Sequence, residues 1–236
     1  MTKHKIVSRD AWLEARKRLL DKEKAFMHQR DELSAERRAL PWERVDKAYV
    51  FDTPEGKQTL ADLFDGRSQL VIYHFMYGPN AGSKPCKSCS FWADNFERSV
   101  VHLTARDVTM LAVSRGPLAK LEAFKKRMGW TFKWVSSGGT DFNFDYNVSF
   151  PKDAEQNGGA TYNYVPKTFA ATEMPGISVF YKDADGAVFH TYSCYARGID
   201  AMNATYQYLD LVPKGRDEAG LPDTMTWVRY HDAYGT

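Results

Sequence analysis

Two of the three cysteines of this chain, Cys86 and Cys89, stand two residues apart in the segment GSKPCKSCSFWADNF. Sulfurs at this spacing can close a disulfide, share a metal ion or pack as small hydrophobic side chains. Which of these chemistries is available depends on the elements that hold the two side chains.

The dithiol follows an apolar run and precedes a helical pattern. Residues 69–77, QLVIYHFMY, are rich in β-branched and aromatic residues, which predicts a central buried strand. After the dithiol, apolar residues recur with helical spacing at Trp92, Phe96, Val100 and Leu103. A strand-to-helix turn places the first sulfur at a helix N-terminus, where unpaired N–H groups favour an anion.

This placement predicts dithiol redox chemistry. Cysteines at helix N-termini have pKa values lowered from about 8.5 to roughly 3.5–7.5, and the thiolate is the nucleophile. Cys86 is therefore expected to attack and Cys89, within one helical turn, to resolve the mixed disulfide. Lys84 and Lys87 add positive charge that favours the thiolate.

A zinc site and a pair of inert buried thiols are the alternatives to redox chemistry. Zinc would need further ligands, and the candidates are Cys194, His74, His102 and His190. A second Cys-x-x-Cys and a His-x-x-x-His are both absent from the sequence, so we expect no metal and no other cofactor. The inert alternative stays open, because free cysteine packs well in cores.

The remaining elements predict an α/β protein. Residues 108–114 form a second apolar strand, and 116–129 an amphipathic helix that ends at Gly129. Residues 177–181 and 187–192 flank an Asp-Gly turn, which predicts a hairpin. A helix is expected at about 200–209, and an inserted loop region at 136–172. Alternating strands and helices predict a partly parallel sheet covered on both faces.

Residues 8–40 read as one long helix with Ser8 as its N-cap. Its apolar residues recur every seven positions, which suits either packing on the rest of the chain or a homodimer contact. We expect an N-terminal helical extension at 1–44, a main domain at 45–212 and a polar C-terminal tail at 213–236 that Trp227 and Tyr230 anchor.

The overall composition is that of an ordinary globular protein. The net charge of +2 is too small to indicate nucleic-acid binding. Apolar stretches long enough to span a membrane are absent, and the N-terminus lacks the apolar run of a signal peptide. We therefore expect a cytoplasmic protein, in which cysteines stay reduced unless they take part in redox or metal chemistry.

The segments CKSCSFWADNF, DFNFDYNVSF and PGISVFYKDADGAVFHTYSCYARG resemble the bacterial thioredoxin-like family known as domain of unknown function 899, often labelled dithiol-disulfide oxidoreductase. The resemblance implies a thioredoxin-like fold, with Cys86 and Cys89 as the redox pair. It also implies a cis-proline hairpin after the inserted loop region. There Pro175 would face the dithiol, and the backbone of Met174 would pair with an extended substrate. The expected partners are a disulfide- or dithiol-containing protein or a small thiol.

Two other functions remain open at this stage. Pro79, Ser83 and Cys86 have the spacing Pro-x-x-x-Ser-x-x-Cys, which is similar to the peroxiredoxin signature. In a thiol peroxidase, Ser83 would hydrogen-bond the Cys86 sulfur and Arg115 or Arg197 would stabilise the thiolate. Either Cys89 or Cys194 would then resolve the sulfenic acid.

The third function is a non-catalytic binding or redox-sensing module, whose dithiol would not turn over. His74, on the strand that leads to the dithiol, is a candidate for proton transfer in any of these functions.

Overall fold

The computed structural model describes residues 4–80, 82–151, 159–167 and 171–235. Over these ranges the chain divides into two compact units, Met1–Pro41 and Trp42–Thr236. Part of the predicted inserted loop region, residues 152–158 and 168–170, lies outside the described residues.

The first unit is built on the helix α1 (Arg9–Arg38), which confirms the predicted helix. The hydroxyl of Ser8 accepts the N–H of Ala11 (3.3 Å) and caps the helix. None of the described side chains of α1 is buried, and its apolar stripe, which includes Trp12 and Phe26, is exposed. A homodimer contact through this stripe stays a prediction.

The second unit contains the strands β1 (Glu43–Arg44), β2 (Val50–Thr53), β3 (Gly56–Thr59), β4 (Gln69–His74), β5 (Val108–Ser114), β6 (Lys133–Ser136), β7 (Ala160–Tyr162), β8 (Val165–Lys167), β9 (Gly176–Lys182) and β10 (Val188–Tyr195). The main sheet has the order β1-β10-β9-β4-β5-β6-β2-β3, and β7 pairs with β8 apart from it. The strands β4, β5 and β6 are parallel, whereas β9 runs antiparallel to both β4 and β10.

The helices of the second unit are α2 (Lys87–Phe96), α3 (Val100–Thr104), α4 (Leu118–Met128), α5 (Phe142–Asp145) and α6 (Ala204–Leu209). The chain passes from β4 through α2 and α3 to β5, then through α4 to β6, and later from the β9–β10 hairpin to α6. Helical crossovers between parallel strands, followed by an antiparallel hairpin on the other side of β4, give a thioredoxin-like fold, as predicted.

Alternation along β4 decides which residues face the dithiol. Tyr73 and Phe75, two residues apart, belong to the core cluster that contains Cys89, on the face covered by α2. Ile72 belongs to the core of the opposite face. Because successive side chains of a strand point to opposite faces, His74 lies with Ile72, away from the dithiol.

The C-terminal segment, residues 210–235, packs against the rest of the second unit. Val228 is buried, and the carboxylate of Glu218 accepts hydrogen bonds from Tyr206 and Trp227. The hydroxyl of Tyr230 donates to the carbonyl of Pro85 (2.6 Å), directly before the first dithiol cysteine. The segment therefore covers part of the dithiol turn.

Candidate active site

Cys86 is the N-cap residue of α2, with extended backbone angles. Its sulfur accepts the N–H of Cys89 at 3.2 Å, so a thiolate replaces the serine or aspartate oxygen that usually caps a helix. The N–H of Cys86 donates to the carbonyl of Met76 (3.1 Å) and holds the turn against the end of β4. Cys86 and Cys89 are both free thiols, the first half-buried and the second 1% exposed.

The pKa values of the two thiols are shifted in opposite directions. A hydrogen bond from the Cys89 side chain lowers the pKa of Cys86, the backbone N–H groups of Cys89 and Ser88 lower it further, and burial opposes them. Burial raises the pKa of Cys89 well above its ordinary value. Lys84 and Lys87 are exposed, and the leading influence on the pKa of Cys86 is the hydrogen bond from the Cys89 side chain, with the N–H groups of the helix N-terminus behind it. The first sulfur is therefore the more acidic of the two, and the second favours its protonated form.

A buried tyrosine lies beside the second sulfur. Tyr73 is 1% exposed, and its buried hydroxyl lies next to the Cys89 sulfur, to which it contributes a hydrogen bond that favours the Cys89 thiolate. Burial raises its pKa well above the ordinary value, and the neighbouring Cys89 and Cys86 raise it further. The hydroxyl therefore remains protonated and is a donor beside the dithiol. The sequence indicated a buried strand at this position, but not that Tyr73 would face the cysteines.

A cavity of about 340 Å³ borders the dithiol turn, and we call it the dithiol cavity. Tyr73, Ser88 and Cys89 form its dithiol side, and Met174 and Pro175 form a second side. The remaining walls come from α2, the turn after β10, α6 and the C-terminal segment. The structure thus brings Met174 and Pro175 to the same cavity as Cys89.

The Met174–Pro175 peptide bond was predicted to be cis, and this prediction is wrong. The described residues include no cis peptide bond. Residues 172–174 pair with the chain at 148–150: Thr172 accepts the N–H of Phe150 (2.9 Å), and Met174 donates to Val148 (3.0 Å). An extended, paired chain therefore leads into β9 in place of a tight turn. The N–H of Met174 already donates to Val148, so it cannot also pair with an extended substrate.

Ser83 and Arg115, the residues proposed to contact the Cys86 sulfur in a thiol peroxidase, contact other groups instead. Of the hydrogen bonds between described residues, none joins Ser83 to Cys86. A side chain at Gly78 would meet the Ser83 hydroxyl at 3.1 Å and the Glu173 carboxylate at 3.3 Å, so both groups pack there. The Arg115 guanidinium stacks 4.3 Å from the Phe144 ring centroid, and its charge acts on Glu173. The structure does not connect Ser83 or Arg115 to the Cys86 sulfur by a hydrogen bond.

His74 and Cys194 also have defined places. His74 contacts the Ser178 hydroxyl (2.9 Å) and stacks on Phe142, on the face opposite the dithiol. Burial lowers its pKa to about 3, so it stays neutral. Cys194 pairs with Ile177 in the sheet and belongs to the same core cluster as Cys89. It is 6% exposed and is not part of a disulfide.

Glu173 is a titratable group beside this site that the sequence did not single out. Burial raises its pKa from 4.5 to about 7, and the charge of Arg115 partly opposes this. An acid whose pKa is raised on folding contributes its full stability below the unfolded pKa and loses it as pH rises through the folded pKa. Glu173 therefore favours the folded state most when its carboxyl is protonated.

We expect Glu173→Gln, which resembles the protonated acid, to match the wild type at about pH 5 and to be more stable by about 1 kcal/mol or more at about pH 8. Urea unfolding at the two pH values measures the difference. Glu55→Gln, at an exposed carboxyl, is the control. A stability gain of the same size at both pH values would show that titration of Glu173 is not the cause.

Two kinds of feature are absent from the described ranges, a metal-binding cluster and a membrane-spanning helix. Within them, no group of three or more His, Cys, Asp or Glu side chains is arranged to hold a metal ion. Within the same ranges, no helix is both long and apolar enough to cross a membrane.

The chain matches a family model over residues 1–234 and belongs to that family. The family is described as bacterial protein of unknown function, domain of unknown function 899. The curated proteins include no match to the chain.

Solved structures with a related fold include peroxiredoxin Q of Xanthomonas campestris, with 16% identity, a TM-score of 0.48, and coverage of 70% of this chain and 93% of that one. Peroxidoxin BcpB of Mycobacterium tuberculosis has 13% identity and a TM-score of 0.45, with coverage of 72% and 97%. The mitochondrial 2-Cys peroxiredoxin of Plasmodium falciparum has 12% identity and a TM-score of 0.40, with coverage of 71% and 92%.

Proposed function

We propose that the protein is a thiol–disulfide oxidoreductase that uses Cys86 and Cys89. One observation carries the proposal: the half-buried Cys86 sulfur caps α2 and accepts the Cys89 N–H, while Cys89 is buried beside it. This arrangement lowers the pKa of one thiol and raises that of the other, which gives an attacking and a resolving sulfur.

In the first step the Cys86 thiolate attacks a substrate disulfide, a new S–S bond forms, and one substrate sulfur leaves as a thiolate. In the second step Cys89 loses its proton to the departing thiolate or to solvent and attacks Cys86. The second substrate sulfur leaves, and the Cys86–Cys89 disulfide remains. The N–H of Met76, 3.5 Å from the Cys89 sulfur, stabilises the thiolate that this step needs.

The reaction is reversible, and its direction depends on the potential of the dithiol relative to its partner. Because the exchange requires that the thiols be returned to the reduced form, we place the protein in the reducing cytoplasm. The partner is a disulfide- or dithiol-containing molecule. The two electrons reside on the sulfurs, so no external cofactor takes part in the exchange itself.

Equilibration of the pure protein in a series of glutathione redox buffers tests the proposal. We expect intact-mass measurement to show a reversible loss of two hydrogens with one defined midpoint. Cys86→Ser should remove this transition, whereas Cys194→Ala should keep it. Thiols that stay free across the whole series would refute the proposed function.

A further inference from the structure

The walls of the dithiol cavity are largely apolar at the dithiol end. The rings or chains of Trp92, Met174, Met225 and Ile199 line it together with Cys89. A cavity of about 340 Å³ lies in the range of small-molecule sites. The cavity thus offers a place where a small apolar group can be buried next to the Cys89 sulfur, three residues from Cys86.

The charged residues that line the cavity are paired with partners of the same chain. Arg216 binds Asp200 at 2.8 Å, and Glu218 accepts hydrogen bonds from Tyr206 and Trp227. Arg197 is 86% exposed at the mouth, 3.6 Å from the Asp200 carboxylate. The walls therefore hold no buried charge that needs a charged ligand to neutralise it.

The polar hydroxyl at the dithiol side of the cavity acts on Cys89. The Tyr73 hydroxyl is buried beside the Cys89 sulfur, and its hydrogen bond favours the Cys89 thiolate. It therefore needs no acceptor atom from a ligand, and apolar contact is the main source of binding free energy that the cavity walls offer.

A polypeptide substrate is disfavoured by two contacts around the site. The N–H of Met174, which would pair with an extended chain, already donates to Val148 (3.0 Å). The Tyr230 hydroxyl is bound to the Pro85 carbonyl, so the C-terminal segment covers the approach beside Cys86. A small molecule that enters the dithiol cavity needs neither of these contacts to break.

We infer that the substrate is a small disulfide with uncharged, apolar substituents, one of which binds in the dithiol cavity. This inference rests on the proposed function. Cys86 forms a mixed disulfide with one half of the substrate, and Cys89 releases that half. The balance is one substrate disulfide plus two protein thiols to two small thiols plus the Cys86–Cys89 disulfide, with both protons transferred to the leaving sulfurs.

Two chromogenic aromatic disulfides that differ in charge test the substrate class. Dithiodipyridine is neutral, and dithiobis(nitrobenzoate) carries two carboxylates; the rate of each with the protein is divided by its rate with free cysteine at the same pH. We expect the neutral reagent to be favoured by about tenfold or more, because burial of its ring stabilises the complex. Equal normalised rates, or a preference for the charged reagent, would overturn the inference.

A matched pair of variants shows whether the cavity is responsible. Thr224 is exposed at the cavity wall, so Thr224→Trp fills the cavity without a change in the core; Thr226 is equally exposed and does not line it. Thr224→Trp should slow the neutral reagent about tenfold and leave the charged one nearly unchanged, whereas Thr226→Trp should slow neither. Equal effects of the two variants would overturn the inference.

The two proposals fail in different ways. If the glutathione series gives no reversible disulfide, the proposed function fails and the substrate class fails with it. If the disulfide forms reversibly but Thr224→Trp has no selective effect, only the substrate class fails. Faster consumption of an alkyl hydroperoxide than of dithiodipyridine, with the same dependence on Thr224, would also overturn the assignment of a disulfide substrate.

Discussion

Cys89→Ser will accumulate a stable mixed disulfide on Cys86, and Cys86→Ser will form none at the dithiol. The Cys86 sulfur is the half-buried, acidified thiol, whereas the Cys89 sulfur is 1% exposed and has a raised pKa. A serine at position 89 cannot expel the bound half of the substrate, because its hydroxyl is a very weak nucleophile at neutral pH. Steady-state exchange should fall about a hundredfold or more in either variant.

Intact-mass measurement after a short exposure to dithiodipyridine separates the two roles. The Cys89→Ser protein should gain one thiopyridine group, which peptide mapping places on Cys86, and the wild type should lose two hydrogens. Cys194→Ala serves as the control, since Cys194 lies on β10 in the same core but outside the helix N-terminus. A stable adduct on Cys89 in the Cys86→Ser protein would contradict the assigned roles.

The acidity of Cys86 adds a pH signature to the same experiment. Because its pKa is lowered in the folded protein, the thiolate persists to lower pH than in free cysteine. The rate of adduct formation on Cys89→Ser should therefore remain high as pH falls, and decline only below the ordinary cysteine range. A decline near the pKa of free cysteine would show that the helix N-terminus does not activate this sulfur.

The sequence was sufficient to predict the elements whose signals are local. The apolar run at 69–77 and the run at 108–114 correspond to β4 and β5, and the helix before Gly129 corresponds to α4. The position of Cys86 at a helix N-terminus follows from a strand and a helix that meet at the dithiol. These features depend on residues that are neighbours along the chain.

Other features depend on residues that are distant along the chain and could not be predicted. Alternation shows that Tyr73 and His74 face opposite sides of the sheet, but only the packing of α2 decides which of them meets the dithiol. The isomer at Pro175 was predicted incorrectly because pairing with residues 148–150 fixes an extended chain there. The two-residue β1 is too short to have a periodic signal.

The C-terminal segment is the largest of these long-range features. The hydrogen bond from Tyr230 to Pro85 joins residues that are 145 positions apart along the chain. Its composition resembles a polar tail, and one of its anchors is a carboxylate that accepts three hydrogen bonds. Glu218 accepts the Tyr206 hydroxyl (2.8 Å), the Trp227 indole N–H (2.6 Å) and the Met225 N–H (3.1 Å). Hydrogen bonds to a charged acceptor are among the stronger ones, so this residue holds the segment against α6.

Glu218→Ala should therefore release the segment and expose the dithiol. The change leaves three donors without their acceptor, which we expect to reduce the local stability of the segment by about 2 kcal/mol, because water can partly replace the carboxylate. Hydrogen exchange at residues 224–230 and alkylation of Cys89 should then accelerate about tenfold or more.

Asp223→Ala is the matched control, because this acid lies exposed in the same segment and its side chain makes no hydrogen bond to the described residues. Glu218→Gln keeps one acceptor oxygen and should fall between the two. If Glu218→Ala left both rates unchanged, other contacts such as Tyr230 to Pro85 would be what holds the segment. Hydrogen exchange and Cys89 alkylation could both accelerate while the preference for the neutral disulfide falls. In that case the C-terminal wall of the dithiol cavity selects the substrate as well as shielding the dithiol.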